Sequence, residues 1–171
     1  MKEALRVINE MRDAGIIGNY AIGGAIGAMF YLEPIGTRDV DVFVALPRSP
    51  GGALLTLGPI YDYLLGRGFR TQQEYIVMHG WPVQFVPPGD ALVEEAMSEA
   101  GEHEYDELRV RVFTAEHLAA ICLAVGRAKD HNRLVKFLDE GALDSAKFDA
   151  IVRRHGLVDK WKRFEHKFLQ P

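Results

Sequence analysis

Residues 18–46 read GNYAIGGAIGAMFYLEPIGTRDVDVFVAL and contain the two short motifs on which the interpretation of the fold depends. The first is a glycine pair at positions 23–24, between a short apolar run and a run of small residues. The second is Asp-Val-Asp-Val at positions 39–42, which opens a longer β-branched run. This order predicts a strand, a tight turn, a short helix and a second strand.

The acidic side chains of Asp39 and Asp41 are two residues apart on the second predicted strand. Successive side chains of a strand point to opposite faces, so both carboxylates are expected on the same face. Two like charges this close repel each other unless a cation lies between them, and Mg²⁺ or Mn²⁺ takes oxygen ligands of this kind. The alternative is a solvated strand end at which the pair faces water.

The glycine pair Gly23 and Gly24 lies where a strand is predicted to become a helix. Glycine lets backbone N–H groups approach a phosphate closely, and a helix N-terminus favours an anion. The alternative is an ordinary tight turn. A dinucleotide-binding loop is set aside, because isoleucine at position 22 breaks the Gly-x-Gly-x-x-Gly order.

Together the two motifs resemble the nucleotidyltransferase superfamily, which includes DNA polymerase β, the aminoglycoside nucleotidyltransferases and the toxin nucleotidyltransferases of abortive-infection systems. The family pattern is hydrophobic-Gly-Gly/Ser, a spacer, and then Asp-hydrophobic-Asp/Glu-hydrophobic. Here the spacer between Gly24 and Asp39 is 14 residues long. Thr37 and Arg38, directly before the acidic pair, resemble the toxin branch, which implies that they support the turn or contact phosphate.

The resemblance implies a function as well as an α+β nucleotidyltransferase-like fold. That function is metal-dependent transfer of a nucleoside monophosphate from an NTP, such as ATP, to an acceptor. Asp39 and Asp41 would be the catalytic carboxylates that bind Mg²⁺ (or Mn²⁺), and Gly23 and Gly24 would hold the β- and γ-phosphates. The rival interpretation is a catalytically degenerate module of this fold, which binds nucleotide, RNA or a protein partner without transfer.

A second segment of the same resemblance reads GRAKD from position 126 and is predicted to open a helix. It resembles the Arg-x-Lys-Asp helix of several nucleotidyltransferases, which implies that Arg127 and Lys129 neutralise the triphosphate. Lys129, Arg133 and Lys136 recur at helical spacing and form one basic face. The alternative is a solvated helix face with an ion pair between Asp130 and Arg133.

The third carboxylate of the family pattern is missing where it is expected. In the family it lies on a later strand and activates the acceptor hydroxyl as a general base. The corresponding strand is predicted at 82–86, and it carries Gln84. An amide neither takes a proton as a general base nor ligates metal with a charge. Either another group, such as Glu74 on the paired strand, substitutes, or the site binds nucleotide without efficient transfer.

The composition of the chain restricts the class of protein. Of 171 residues, 48% are hydrophobic, and no run approaches the roughly 18 unbroken apolar residues of a membrane span. A lone cysteine, Cys122, forms neither an internal disulfide nor a cysteine metal cluster. The N-terminal residues lack the apolar block of a signal peptide. We therefore predict a cytoplasmic protein with no membrane partner.

Charge is unevenly distributed along the chain. Residues 1–126 hold 9 Lys/Arg against 17 Asp/Glu, whereas residues 127–171 hold 11 against 7. An acidic first part with a basic tail fits a metal site that faces a phosphate-binding surface, although solvated helix faces give the same distribution. The basic tail allows a toxin-like enzyme that modifies tRNA or protein, and it leaves a small-molecule acceptor equally open.

Periodicity predicts an α+β domain at 1–113, a small mixed sheet with flanking helices, and a helical part at 114–171 packed on it. Thr114 is a plausible N-cap of the first helix of that part, and helix continues to 169 with glycine breaks. The acidic stretch at 102–107, which includes His103, is predicted as a solvated loop. Strands are predicted at 19–22, 38–46, 69–78, 81–86 and 108–113.

Overall fold

The computed structural model describes residues 1–34, 36–46 and 56–169. The helices in these ranges are α1 (Lys2–Asp13), α2 (Gly24–Ala28), α3 (Gly58–Gly66), α4 (Ala91–Glu99), α5 (Ala115–Val125), α6 (Ala128–Asp139), α7 (Ser145–Arg154) and α8 (Val158–Phe168). The strands are β1 (Tyr20–Ile22), β2 (Val40–Val44), β3 (Arg70–Gln72), β4 (Tyr75–Met78), β5 (Trp81–Val86), β6 (Gly101–Tyr105) and β7 (Leu108–Val112).

The described strands form a single mixed sheet in the order β3-β4-β5-β2-β1-β7-β6. The central strand β2 pairs antiparallel with β1 and parallel with β5. β1 in turn pairs parallel with β7. The predicted fold class, α+β with a mixed sheet and flanking helices, is confirmed.

The sheet buries its two faces against different sets of helices. Strand β2 alternates between fully buried and half-buried residues, because its valines Val40, Val42 and Val44 point into one core. That core also contains α1 and α3 side chains such as Leu5 and Leu64. The opposite face of β2 carries Asp41 and Phe43, so the candidate site lies on the side that this core leaves free.

The helices after β7 cover that opposite face. Thr114 caps α5, since its hydroxyl accepts the backbone N–H of His117 at 3.3 Å, as predicted. Ala21 and Phe113 of the first part share one apolar cluster with Leu118 of α5 and Phe137 of α6. The division into domains at 113 stays a prediction, but the two parts of the chain bury side chains in a common core.

Two predictions of secondary structure were wrong. The predicted strand at 69–78 is two strands, β3 and β4, because the chain turns at residues 73–74, where Gln73 has a φ of 56°. The stretch predicted as a solvated loop is the edge strand β6, and its residue His103 pairs with Val110 of β7. Its acidic side chains alternate outward, as is usual for an edge strand that must not pair with other chains.

No helix among the described residues combines the length and apolar character needed to cross a membrane.

Candidate active site

The carboxylates of Asp39 and Asp41 line one cavity of about 690 Å³. Asp41 is the second residue of β2, and Asp39 directly precedes the strand. Both side chains are half-buried, whereas Val40 between them is fully buried on the other face. The pair therefore meets in one cavity, as the period-2 alternation of a strand predicts.

Two hydroxyl groups orient the carboxylate of Asp39. The hydroxyl of Thr37 donates to Oδ1 at 2.9 Å, and the hydroxyl of Tyr75 lies 3.5 Å from Oδ2. Thr37 is among the residues predicted from the sequence, and Arg38 beside it is exposed and also lines the cavity. Tyr75 was missed, because it opens β4, which reaches Asp39 only through the pairing of the sheet.

The absence of a side chain at Gly24 leaves room for the carboxylate of Asp41. A Cβ atom at this position would lie 2.0 Å from Oδ2 of Asp41, and the residue has a φ of +58°, which favours glycine. Gly24 lines the cavity. Gly23 instead lies buried behind it, where a Cβ would lie 2.5 Å from Cε2 of Phe43. Close packing thus requires both glycines, and Gly24 is the member of the pair that reaches the cavity.

Gln84 is the direct neighbour of Asp41 across the parallel pairing of β2 and β5. The strand was predicted to place Gln84 beside the carboxylate pair, and the sheet adopts this register. Gln84 is half-buried, and the cavity lining does not extend to it. Glu74, proposed as a substitute on the paired strand, lies instead in the exposed turn between β3 and β4, so that placement was wrong. The neighbour of Asp41 in this register is thus an uncharged amide.

The basic face of α6 forms the opposite wall of the cavity. Arg127, Lys129, Arg133 and Lys136 all line it. The positive charges of Lys129, Arg133 and Arg127 all act to lower the pKa of Asp41, against the larger effects of burial and of Asp39, which raise it. The structure therefore joins the two motifs that are about 90 residues apart in the sequence.

Asp130 is a buried carboxylate that α6 needs at its N-terminus. Its Oδ2 accepts the backbone N–H of Arg127 at 3.2 Å and the side-chain Nε of Arg127 at 2.7 Å. Burial acts to raise the pKa of Asp130, but the hydrogen bonds and charge of Arg127 outweigh it, so the pKa is lowered. The predicted pair of Asp130 with Arg133 is long, at 4.0 Å. Arg127 is thus the principal partner of Asp130.

The carboxylate pair has the donor chemistry of a divalent cation site. Burial and then the neighbouring charge of Asp39 raise the pKa of Asp41, so the ionised pair is under electrostatic stress that a cation would relieve. Within the described residues, no group of three or more His, Cys, Asp or Glu side chains could hold a metal ion. Two carboxylates beside an open cavity suit Mg²⁺ or Mn²⁺, which keeps coordination positions for water and substrate phosphates.

An apolar wall completes the cavity between the acidic and the basic sides. The rings of Phe43 and Phe113 are 4.8 Å apart, and Leu118, Ile121 and Val125 of α5 continue the same wall. Phe43 shares the face of Asp41, which strand periodicity could have indicated. Phe113 follows a strand remote in the sequence, so no local signal identifies it.

The fold is found in solved structures, although no protein-family model and no curated protein sequence matches this chain. An antigenic nucleotidyltransferase-like protein from Paracoccidioides brasiliensis is 12% identical, with a TM-score of 0.54, and the match covers 93% of this chain and 90% of that one. The antibiotic-resistance factor ANT(2″)-Ia in solution is 17% identical, with a TM-score of 0.53, over 96% and 95% of the two chains. A crystal structure of ANT(2″)-Ia with adenylyl-2″-tobramycin is 14% identical, with a TM-score of 0.53, over 92% and 98%.

Proposed function

We propose that this chain, which has the nucleotidyltransferase fold, transfers a nucleoside monophosphate from an NTP to the hydroxyl group of an acceptor. The observation that carries the proposal is that one cavity has two carboxylates on one wall and a row of cations on the other. A nucleoside triphosphate with a divalent cation matches both walls, because its phosphates need cations on either side.

The proposed reaction is a substitution at the α-phosphorus of the nucleotide. The acceptor oxygen forms a bond to this phosphorus, the bond to the bridging oxygen of the β-phosphate breaks, and pyrophosphate leaves. The acceptor proton passes to solvent water, since Gln84 cannot take it as a general base. The cavity residues would act by positioning and by electrostatic stabilisation, which dominate catalysis of this class.

Each residue of the site then has a proposed role. Asp39 and Asp41 would hold the Mg²⁺ or Mn²⁺ ion, which when bound supplies positive charge to the phosphate oxygens. Gly24, supported from behind by Gly23, would let the phosphates approach the backbone closely. Thr37 orients Asp39. The exposed side chains of Arg38 and Lys129 would add positive charge around the triphosphate, and Arg127 lies at the rim, bound to Asp130.

The first test is calorimetric titration of each NTP into the protein with and without Mg²⁺. We expect binding that depends on Mg²⁺ and is lost in the Asp39→Ala/Asp41→Ala double variant, because the cation then has no carboxylate ligands. The matched control is Asp62→Ala/Asp149→Ala, which removes the same charge from exposed sites on α3 and α7. Nucleotide binding by the Asp39→Ala/Asp41→Ala variant at undiminished affinity would refute the assignment of the site.

A second candidate function is nucleotide binding without transfer, and the register partnership of Gln84 with Asp41 favours it. The two functions differ in one measurement, the incorporation of labelled nucleoside monophosphate into acceptors. Transfer by the purified protein that disappears in Asp41→Asn supports the enzyme. Mg²⁺-dependent binding without transfer to any small-molecule, tRNA or protein acceptor supports the degenerate module.

A further inference from the structure

Arg133 has the least satisfied guanidinium group on the cavity wall. Its side chain is only 12% exposed, yet it lines the cavity opposite Asp41. Among the described residues, its Nε has no hydrogen-bond partner. Its Nη1 lies 3.9 Å from Sγ of Cys122 and 4.0 Å from Oδ1 of Asp130, both too long for a strong contact. A largely buried cation with no close anionic partner carries an unfavourable desolvation energy that an anion would relieve.

Arg127, the arginine of the sequence motif, differs from Arg133 because its guanidinium group already has close hydrogen-bond partners. Its side chain is 60% exposed, and its Nε and Nη2 bind the two oxygens of Asp130 at 2.7 and 3.2 Å. This two-point pair uses the planar fork of the guanidinium group, which is the part that binds a phosphate. Arg127 therefore holds the carboxylate of Asp130 at close range, and Arg133 reaches the same carboxylate only at 4.0 Å.

The side chains around Arg133 indicate which class of anion it would bind. Lys129 and Lys136 line the same wall at one helical turn before Arg133 and one turn after it. The thiol of Cys122 is no competing anion, because burial raises its pKa to about 11. A chain of phosphates fits three cations in a row on a helix better than a single carboxylate does.

We propose that Arg133 is a binding residue for the terminal phosphates of the nucleotide, and that Arg127 is a positioning residue that acts through Asp130 and the N-terminus of α6. The proposal deepens the proposed function and rests on it. The resemblance described from the sequence instead assigns triphosphate binding to Arg127 and Lys129.

The test is calorimetric titration of inorganic triphosphate, in the presence of Mg²⁺, into the full chain and into four variants: Arg133→Gln, Arg133→Lys, Arg127→Gln and Arg109→Gln. In Arg133→Gln we expect the affinity to fall by roughly 10- to 100-fold, the cost of losing charge-assisted hydrogen bonds. Arg133→Lys should retain part of the affinity, since it keeps the charge without the fork. Arg109→Gln removes an arginine that is 85% exposed on β7 and serves as the matched charge control.

Thermal unfolding of the same variants without ligand separates binding from structure. Arg133→Gln should unfold at the temperature of the wild type or above it, because it removes a largely buried charge whose nearest carboxylate oxygen, on Asp130, lies 4.0 Å away. Arg127→Gln should unfold at a lower temperature, because it removes the principal charged partner of the buried Asp130. If Arg133→Gln lowers the unfolding temperature and leaves triphosphate affinity intact, the proposal is refuted.

The measurements distinguish failure of the proposed enzymatic function from failure of the proposed role of Arg133. A chain that binds inorganic triphosphate through Arg133 but transfers no nucleotide keeps the role of Arg133 and loses the enzymatic function. A wild-type chain that binds no triphosphate overturns the role of Arg133. Equal losses of affinity in Arg133→Gln and Arg109→Gln would overturn it as well, since the effect would then be net charge alone.

Discussion

The contact between Gly24 and Asp41 ties the two sequence motifs together at the scale of single atoms. The carboxylate of Asp41 occupies the space that any side chain at position 24 would need. The backbone of the two segments is also joined, since the N–H of Gly23 donates to the carbonyl of Asp41 at 3.0 Å. The fold itself thus requires the glycine pair, whether or not a phosphate is bound.

Gly24→Ala adds only one methyl group, yet it should reduce both nucleotide affinity and stability. We expect loss of Mg²⁺-dependent nucleotide affinity by about tenfold or more, because the new methyl group displaces the Asp41 carboxylate. The backbone strain of alanine at positive φ should add a stability cost of about 1 kcal/mol. Nucleotide titration and chemical denaturation measure the two effects.

The matched control for this prediction is Gly15→Ala. Gly15 has a similar φ of +71°, but a Cβ there would meet nothing within 4 Å. It should lose stability through backbone strain alone and keep nucleotide affinity. If both variants lose the same stability and neither loses affinity, the contact with Asp41 has no functional weight.

The pairing of β2 with β5 decides which side chain lies beside the carboxylate pair. In the observed register Gln84 is opposite Asp41 and Val83 is opposite Val40. Side chains of paired residues point to the same face, so Gln84 shares the face of Asp41. A carboxylate at this position would therefore adjoin the pair.

Gln84→Glu should raise the rate of nucleotide transfer if the chain is an enzyme that lacks its general base. General bases contribute factors of roughly 100 or more, so the expected gain is of that order. The comparison variant is Gln84→Met, which removes the amide without adding charge and should not accelerate transfer. An initial-rate assay with a labelled NTP measures both. A rate that stays constant or falls in Gln84→Glu would show that proton removal does not limit the reaction.

At the scale of the whole molecule, the carboxylate of Glu95 joins three helices. It accepts hydrogen bonds from Nε and Nη2 of Arg154 at 2.8 and 2.6 Å. Nε2 of His155 lies 2.8 Å away, and Nε2 of the buried His117 lies 3.2 Å away. Glu95 thus connects α4 to α5 and to the C-terminal end of α7.

This network predicts a pH-dependent part of the stability. The hydrogen bonds from Arg154 are the main reason why the pKa of Glu95 is lowered to about 2. A carboxylate with a depressed native pKa stabilises the fold above its ordinary pKa of about 4.5, and that contribution is lost as the pH falls towards 2. Glu95→Gln should therefore cost about 1–2 kcal/mol at pH 7, less than the full shift implies because Glu95 is partly solvated.

Denaturation of wild type and Glu95→Gln across this pH range checks the prediction. The difference in unfolding free energy should be constant above about pH 5 and should shrink as the pH approaches 2. Glu94→Gln, at the exposed neighbouring position of α4, should show little difference at any pH. A stability difference for Glu95→Gln that does not change with pH would mean that the carboxylate charge is not what holds the helices.

The sequence by itself determined the strand, glycine turn, helix and strand of residues 18–46 and the basic face of α6. It also determined that Asp39 and Asp41 share one side of the chain. These are local properties, because helix and strand periodicity and the conformational freedom of glycine act over a few residues. The edge strand β6 escaped the same reasoning, since half of its residues are solvated and their acidic character is typical of loops.

Only the tertiary structure decided which groups meet across the cavity. It brought Tyr75 to Asp39 and Gln84 to Asp41. It also engaged Arg127 with Asp130, while Arg133 remains with unused hydrogen-bond donors. The physical reason is that strand register and helix docking are set by the burial of apolar faces over the entire sheet. No spacing within a short motif contains that information.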